Sequence, residues 1–433
     1  MTLYSTNDSR HTVSFAQALD RGIARDGGLY MPSAFSAFTP GEIAGMRGKP
    51  LQEIAFEVSR RFLEDEIAPD ALRTIIGQSL TFPIPLRRLD ERTQVLELFH
   101  GPTLAFKDVG ARFMARMMAY LHRNEDREVT ILVATSGDTG SAVAHGFHDV
   151  AGTRVVLLYP SAMVSTIQEQ QMTTLGGNVT ALEIGGTFDD CQRLVKQAFA
   201  DPEILAGRAL SSANSINIAR LMPQMFYYFH AWAQLGVGTR PPVFSVPCGN
   251  LGNLTAGLFG HAMGLPARRF LAATNANNVL PEYLQTGEFR PRPSVRTISN
   301  AMDVGNPGNF VRMLALVRRS RTTMREIVRG ASYSDDQTRE TIREVYGSHG
   351  YLLDPHAAVA ARAWRDEVDR GGEKGTGIIL ATAHPAKFAD VYDDDLARRI
   401  VMPGTLKACM DLPKRSEKLS SRFDEFKSYL LHT

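Results

Sequence analysis

The chain lacks most of what would commit it to the commoner site chemistries. Its only cysteines, Cys191, Cys248 and Cys409, are far apart and form no CxxC pair, which argues against a zinc site or a disulfide scaffold and fits a reducing compartment. Neither sign of charge dominates. The 48 Lys plus Arg against 46 Asp plus Glu leave a formal +2, so no basic field invites nucleic acid, and any bound anion is expected to be small and held locally. No stretch approaches the roughly 18 apolar residues of a spanning helix, and the opening MTLYSTNDSRHTVSF has no charged start followed by an apolar run. A cytoplasmic protein without a membrane or nucleic-acid partner is expected. There is no internal repeat, no metal-ligand motif and no defensible Ser-His-Asp order.

What is present is apolar pattern. With 433 residues and 44% hydrophobic content, two or three domains can each bury a core. SFAQALDRGI, LQEIAFEVSRRFLEDE and PDALRTIIGQSL repeat apolar residues every three or four positions, which predicts a helical segment over the first eighty residues. From Val129 the pattern changes to short continuous runs: VTILVAT, RVVLLYP, VTALEI, VFSVP, RFLAAT and GIILAT. Parallel strands covered on both faces read this way, and the class is α/β. The charged RSEKLSSRFDEFKSYLL near the end reads as a solvated surface helix.

Four loops between these elements carry polar groups that could converge. ATSGDTGSAVAHGF offers Gly137 and Gly140 for tight turns and the hydroxyls of Thr135, Ser136 and Thr139, which either cap a helix or receive an anion with the open amides of its first turn. In VPCGNLGNLTAG the amides of Gly249, Asn250, Leu251, Gly252 and Asn253 can cradle a phosphate without a lysine, or form a plain turn. This loop is neither GxGxxG nor GxxxxGK[ST], which weakens a nucleotide reading. SSANSINIARLMPQ spaces Asn214, Asn217 and Arg220 by three, as on one helix face; Arg220 either forks onto a phosphate or carboxylate or serves as a surface ion-pair partner. LATAHPAKF ends an apolar run, with Thr382 presenting a neutral hydroxyl and His384 reading first as a hydrogen-bonded structural residue.

HGPTLAFKDVG adds one lysine, Lys107, behind an apolar step. Either it makes an exposed ion pair with Asp108, or its surroundings disfavour its charge and leave an amine that is a nucleophile and base. One such amine and two anion-cradling loops, in a chain without metal motifs, suit an aldehyde cofactor that carries its own phosphate, pyridoxal phosphate.

HGPTLAFKDVG, ATSGDTG, SANSIN, VPCGNLGN, SNAMDVGNPGN and ATAHPAKF, in this order, resemble threonine synthase, a family of pyridoxal-phosphate enzymes of fold type II. The likeness runs from SFAQAL and DGGLYMP near the start to the DLP at Leu412. It implies two open, twisted parallel-sheet domains like those of the tryptophan synthase β subunit, plus a helical N-terminal domain (1–80). The large cofactor-binding domain would comprise 81–112 and 213–433, and a small mobile domain 113–212. It also implies roles. Lys107 would bond the cofactor's aldehyde and act as the base, Phe106 would pack near the ring, Gly249–Asn253 would hold the cofactor phosphate, and Thr382 would face the pyridine nitrogen. Thr135, Ser136, Thr139, Asn214 and Arg220 would hold the substrate, O-phosphohomoserine, on its way to threonine and phosphate, in a monomer or weak homodimer. Asp138 stands where many fold-type relatives carry Asn beside the cofactor's phenolic oxygen, and Leu251 where many threonine synthases have Phe. An ionised Asp138 would repel a phenolate, which leaves its protonation an open question. Two rivals share parts of this pattern: a serine/threonine dehydratase or cysteine synthase of the same fold type, and a phosphate- or nucleotide-binding protein without catalysis.

Overall fold

The computed structural model describes residues 1–125, 128–135, 137–371 and 375–433. All three predicted N-terminal helices form, at Phe15–Arg21, Leu51–Leu63 and Pro69–Ser79. Leu51, Ile54, Ala55, Val58 and Phe62 are buried along the second of them, as their spacing requires. The segment is not purely helical: Thr12–Val13, Leu3–Ser5 and Tyr30–Pro32 make a small antiparallel sheet.

The six apolar runs are all strands, divided between two parallel sheets. One has the spatial order Val328–Ser332, Arg269–Thr274, Val243–Pro247, Gly377–Ala381, Thr93–Glu97, Leu86–Arg88, and only the last pair is antiparallel. The other, entirely parallel, runs Glu417–Ser420, Val179–Gly185, Thr153–Pro160, Val129–Ala134, Ala209–Ser212. Continuous apolar sequence is needed because each inner strand feeds two cores. In Val129–Ala134, Ile131 and Val133 join the main core while Leu132 and Ala134 join a second cluster with Cys191, Leu194 and Phe426. Ile378 and Leu380 likewise face the main core, and Ile379 and Ala381 the cluster around Trp364.

The C-terminal region departs from the expected division. Glu417–Ser420 pairs with Val179–Gly185, so a strand of 213–433 extends the sheet built from 113–212. The expected single surface helix over this stretch begins instead as the strand Glu417–Ser420, and the helix Phe423–His432 buries Phe426 and Leu430. Among the described residues no helix is long and apolar enough to cross a membrane.

Candidate active site

The loops at the carboxyl ends of Val129–Ala134 and Gly377–Ala381 meet the segment that carries Lys107, as open α/β sheets dispose their sites. Lys107 begins the helix Lys107–Leu121, whose face bearing Val109, Phe113, Met114 and Met117 is buried. The segment before it is tied to the loop after Gly377–Ala381: Phe106 N donates to Thr382 O at 2.8 Å, and His384 N to Leu104 O at 3.0 Å. Leu104 adopts φ 56° and Leu251 φ 61°, a left-handed backbone that costs a non-glycine residue about 1–2 kcal/mol and is held by its surroundings.

Lys107 is half-buried, and its ammonium has no hydrogen-bond or ion-pair partner among the described residues. Its nearest ring is Phe106, with Nζ 5.9 Å from the centroid. Burial lowers its pKa to about 8; the Asp138 carboxylate opposes this, and the Lys387 and Arg220 cations add to it. The alternative of an exposed Lys107–Asp108 pair is therefore wrong. Asp108 is fully buried and accepts from Thr103 N at 2.9 Å and Thr103 Oγ1 at 2.7 Å. Burial raises its pKa to about 6 despite those bonds.

Asp138, at the start of the helix Asp138–Phe147, is buried with Lys387 Nζ at 2.6 Å and Gln168 Nε2 at 3.0 Å from its Oδ1. Burial pushes this carboxyl up, but the Lys387 and Lys107 charges outweigh it and hold the group well below the usual carboxylate range. Asp138 is thus ionised.

Arg220 is also buried, and burial lowers its pKa to about 10, with Asp108 opposing. It donates to Ala213 O, its Nε has no partner, and no carboxylate pairs with it among the described residues. Its backbone lies against Gly110, where an added Cβ would come within 2.6 Å of Arg220 O, so Arg220 is packed against the first turn of the Lys107 helix. The expected helix face of Asn214, Asn217 and Arg220 does not form. The helix is only Ile218–Leu221, and Asn217 is its N-cap, accepting from Ala219 N and donating to Leu19 O and Ser212 O. Asn214 precedes it, half-buried, in a loop.

After Val243–Pro247, none of the six successive amides of Gly249, Asn250, Leu251, Gly252, Asn253 and Leu254 donates to a described residue, while Thr255 N opens the helical ladder to Leu251 O. Side chains shape the loop: Asn250 accepts from Gly308 N at 2.5 Å and donates to Ser215 Oγ at 2.6 Å, and Asn309 Nδ2 donates to Asn250 O. Asn253 offers its backbone amide and its buried side-chain Nδ2, which has no partner among the described residues, while its side-chain oxygen accepts from Tyr227 and Tyr228. Open amides at a helix N-terminus are the donor set a phosphate monoester needs. With the unpartnered amine of Lys107, these residues fit pyridoxal phosphate.

The other glycine loop is differently used. Thr135 Oγ1 accepts from Gly137 N at 3.0 Å and Gly140 N at 2.8 Å, so its hydroxyl caps the turn. Thr139 is half-buried, and its amide and that of Asp138 stay open among the described residues. Ser136 lies outside the described residues. Thr382 is buried, with its hydroxyl bonded to no described group. His384 caps the following helical turn, Nδ1 accepting from Ala386 N at 3.1 Å. Sequence reasoning leaves the roles of His100 and Lys387 open and misses Gln168; the available signal for Lys387 is its setting, a lysine just beyond a buried strand, like that of Lys107.

Comparison with known proteins agrees with this assembly. The family model described as pyridoxal-phosphate dependent enzyme matches residues 78–382, and those for the threonine synthase N terminus and C-terminal region match 2–80 and 357–430. The threonine synthase of Serratia marcescens is 43% identical over 432 residues, covering 100% of this chain and 99% of the relative. The crystal structure of Escherichia coli threonine synthase superposes with a TM-score of 0.92 at 43% identity, covering 100% of this chain and 99% of that one. PLP-bound threonine synthase from Brucella melitensis gives 0.93 at 36%, with the same coverage. From its small N-terminal sheet to its last helix, the chain belongs to the threonine synthase family of fold type II pyridoxal-phosphate enzymes.

Proposed function

We propose that the protein converts O-phospho-L-homoserine and water to L-threonine and inorganic phosphate, the last step of threonine biosynthesis. The observation that carries the reading is one unpartnered, partly neutralised lysine in a chain with two separate sets of donors for an anion. One is the six open amides of Gly249–Leu254. The other is the Arg220 guanidinium, buried without a carboxylate partner among the described residues and close enough for its charge to act on Lys107. Two seats suit a cofactor and a substrate that each bring a phosphate.

Pyridoxal phosphate would be held by Lys107 at its aldehyde, by the Gly249–Asn253 amides at its phosphate, by Phe106 along the ring and by Thr382 at the pyridine nitrogen. The chemistry it supplies when bound is an electron sink for carbanions next to the substrate's amino group. A threonine hydroxyl cannot keep that nitrogen protonated as a carboxylate would, which tempers the sink. Lys107, with a pKa brought down to about 8 chiefly by burial, holds enough neutral amine near neutrality to take a proton from carbon and return it. Arg220 binds the substrate phosphate and stabilises the charge that builds as phosphate departs from the γ carbon. Thr139 and Asn214 orient the rest of the substrate. The same residues serve poorly a dehydratase or cysteine synthase substrate, which has no dianion for Arg220.

The test is phosphate release and threonine formation from O-phosphohomoserine by the purified protein, against Lys107→Ala. Loss of a general base alone lowers turnover roughly 10²–10⁴-fold, and here the covalent anchor is lost too, so turnover should vanish while the fold persists. Ordinary threonine formation by Lys107→Ala would end this reading, as would ketoacid release from threonine as the dominant activity of the native chain.

A further inference from the structure

A second lysine is buried more completely than Lys107. The side chain of Lys387 is 0% exposed. Its Nζ lies 2.6 Å from Asp138 Oδ1 and donates to Thr103 O at 2.9 Å. The two contacts belong to different layers: Thr103 is in the segment leading to Lys107, and Asp138 follows the strand Val129–Ala134 of the other sheet. Gln168 and Gln171, from the helix Thr166–Thr173, join the same two acceptors, Gln168 Nε2 on Asp138 Oδ1 and Gln171 Nε2 on Thr103 O. The charged and titratable groups that feel Lys387 are Asp138, Lys107, Asp108, His145, His384 and Cys409. Among the described residues only Asp138 is within ion-pair distance.

A buried ammonium and a buried carboxylate are each strongly disfavoured alone and tolerable as a hydrogen-bonded pair. The pair is neutral overall and still presents polar groups. If Asp138 lies beside the phenolic oxygen of pyridoxal phosphate, as the resemblance to other fold type II enzymes implies for the cofactor site proposed above, an isolated carboxylate would repel that oxygen; one bonded to an ammonium need not. We propose that Lys387 is a positioning residue that neutralises Asp138 and joins its loop to the segment before Lys107, so that the Lys387–Asp138 pair does beside the cofactor what an uncharged amide does in other fold type II enzymes. The inference rests on the proposed cofactor site, and its consequence is electrostatic: removing either charge alone exposes the phenolic oxygen to the other.

The experiment is a spectrophotometric pH titration of the pyridoxal-phosphate-loaded protein, reading the midpoint of the visible absorbance change, with melting recorded beside it. Lys387→Met should raise the midpoint by about one unit, because an unneutralised carboxylate holds a nearby proton more tightly. Asp138→Asn should lower it, because an unpaired ammonium has the opposite effect. The double variant, with neither charge, should return to within a few tenths of a unit of the native value, and Lys387→Arg should stay near it. Lys387→Met leaves a buried carboxylate unpaired and is the variant most at risk of not folding; the contrast between Asp138→Asn and the double variant avoids that risk. Equal midpoints for those two proteins would overturn the proposal, as would melting points that shift while every midpoint stays put. Failure of the native chain to bind pyridoxal phosphate at all would instead overturn the cofactor site itself.

Discussion

The same local architecture, a buried strand running through a glycine loop into a helix, occurs at Val129–Ala134 and again at Val243–Pro247, and the two loops spend their backbone donors differently. In the first, the Thr135 hydroxyl takes the amides of Gly137 and Gly140, and only those of Asp138 and Thr139 remain open among the described residues. In the second no side chain of the loop takes an amide, and six in succession stay open among the described residues. Asn250 could have capped its own loop but instead bonds outward, to Gly308 and Ser215. A glycine-rich strand-to-helix turn therefore does not by itself make an anion site; what decides is whether a polar side chain within the turn has already used the donors.

The largest effect should come from closing the second loop. A Cβ at Gly249 would stand 2.8 Å from Ala301 O and 2.9 Å from Met302 Cα, both backbone atoms with no rotamer to retreat into. Gly249→Ala must displace either the cradle or the segment behind it, a strain of the order of 1–3 kcal/mol. Pyridoxal phosphate affinity, followed by absorbance titration, should fall about 100-fold, the upper end of that range. Unchanged affinity would mean that these amides do not hold the phosphate and that the contrast between the loops has no bearing on binding.

The first loop should answer in stability rather than in binding. Thr135→Val keeps the shape and removes the acceptor for two buried amides, each costing roughly 1–3 kcal/mol when orphaned. Melting should drop by several degrees, while cofactor affinity at the other loop stays within about threefold. A variant that melts normally but loses the cofactor would reverse the assignment of the two loops.

How far the sequence shows this in advance depends on what each residue answers to. The inner strands are legible because both faces are buried, which forces continuous apolar sequence. Leu86–Arg88, Ala209–Ser212, Val328–Ser332 and Glu417–Ser420 escape notice because they are edge strands, buried on fewer sides and free to carry Arg, Ser, Glu and Lys. Thr93–Glu97 is internal, yet its Thr, Gln and Glu break the apolar run. At the site, the glycine loops and Lys107 are visible as local pattern. Asp108 misleads because residues adjacent on a helix point about 100° apart, so it turns to Thr103 and leaves Lys107 alone. Lys387 and Asp138 are remote in sequence, and only the packing of one sheet layer on the other brings them together. Asn217 shows the converse error: a three-residue spacing suggests a helix face, but the residue ends the chain's extended course as a cap.

The smallest effect belongs to a third strand-to-helix loop, the one after Gly377–Ala381, where His384 tests whether the distinction between used and open donors holds beyond the glycine loops. Its Nδ1 accepts from Ala386 N, so the ring acts as a cap, and burial, reinforced by the neighbouring His100 ring, lowers its proton affinity and keeps that nitrogen free to accept. His384→Ala should then cost about 1 kcal/mol, the typical value of a lost cap, seen as a small drop in melting, and leave turnover within about threefold of native. His384→Asn keeps an oxygen acceptor at the cap and should recover part of the lost stability. Turnover reduced 100-fold or more in His384→Ala, with melting unchanged, would make the histidine part of the chemistry. A polar side chain bonded to the following turn would then be no guide to whether its loop is structural, and the difference drawn between the loops at Thr135 and Gly249 would lose its general form.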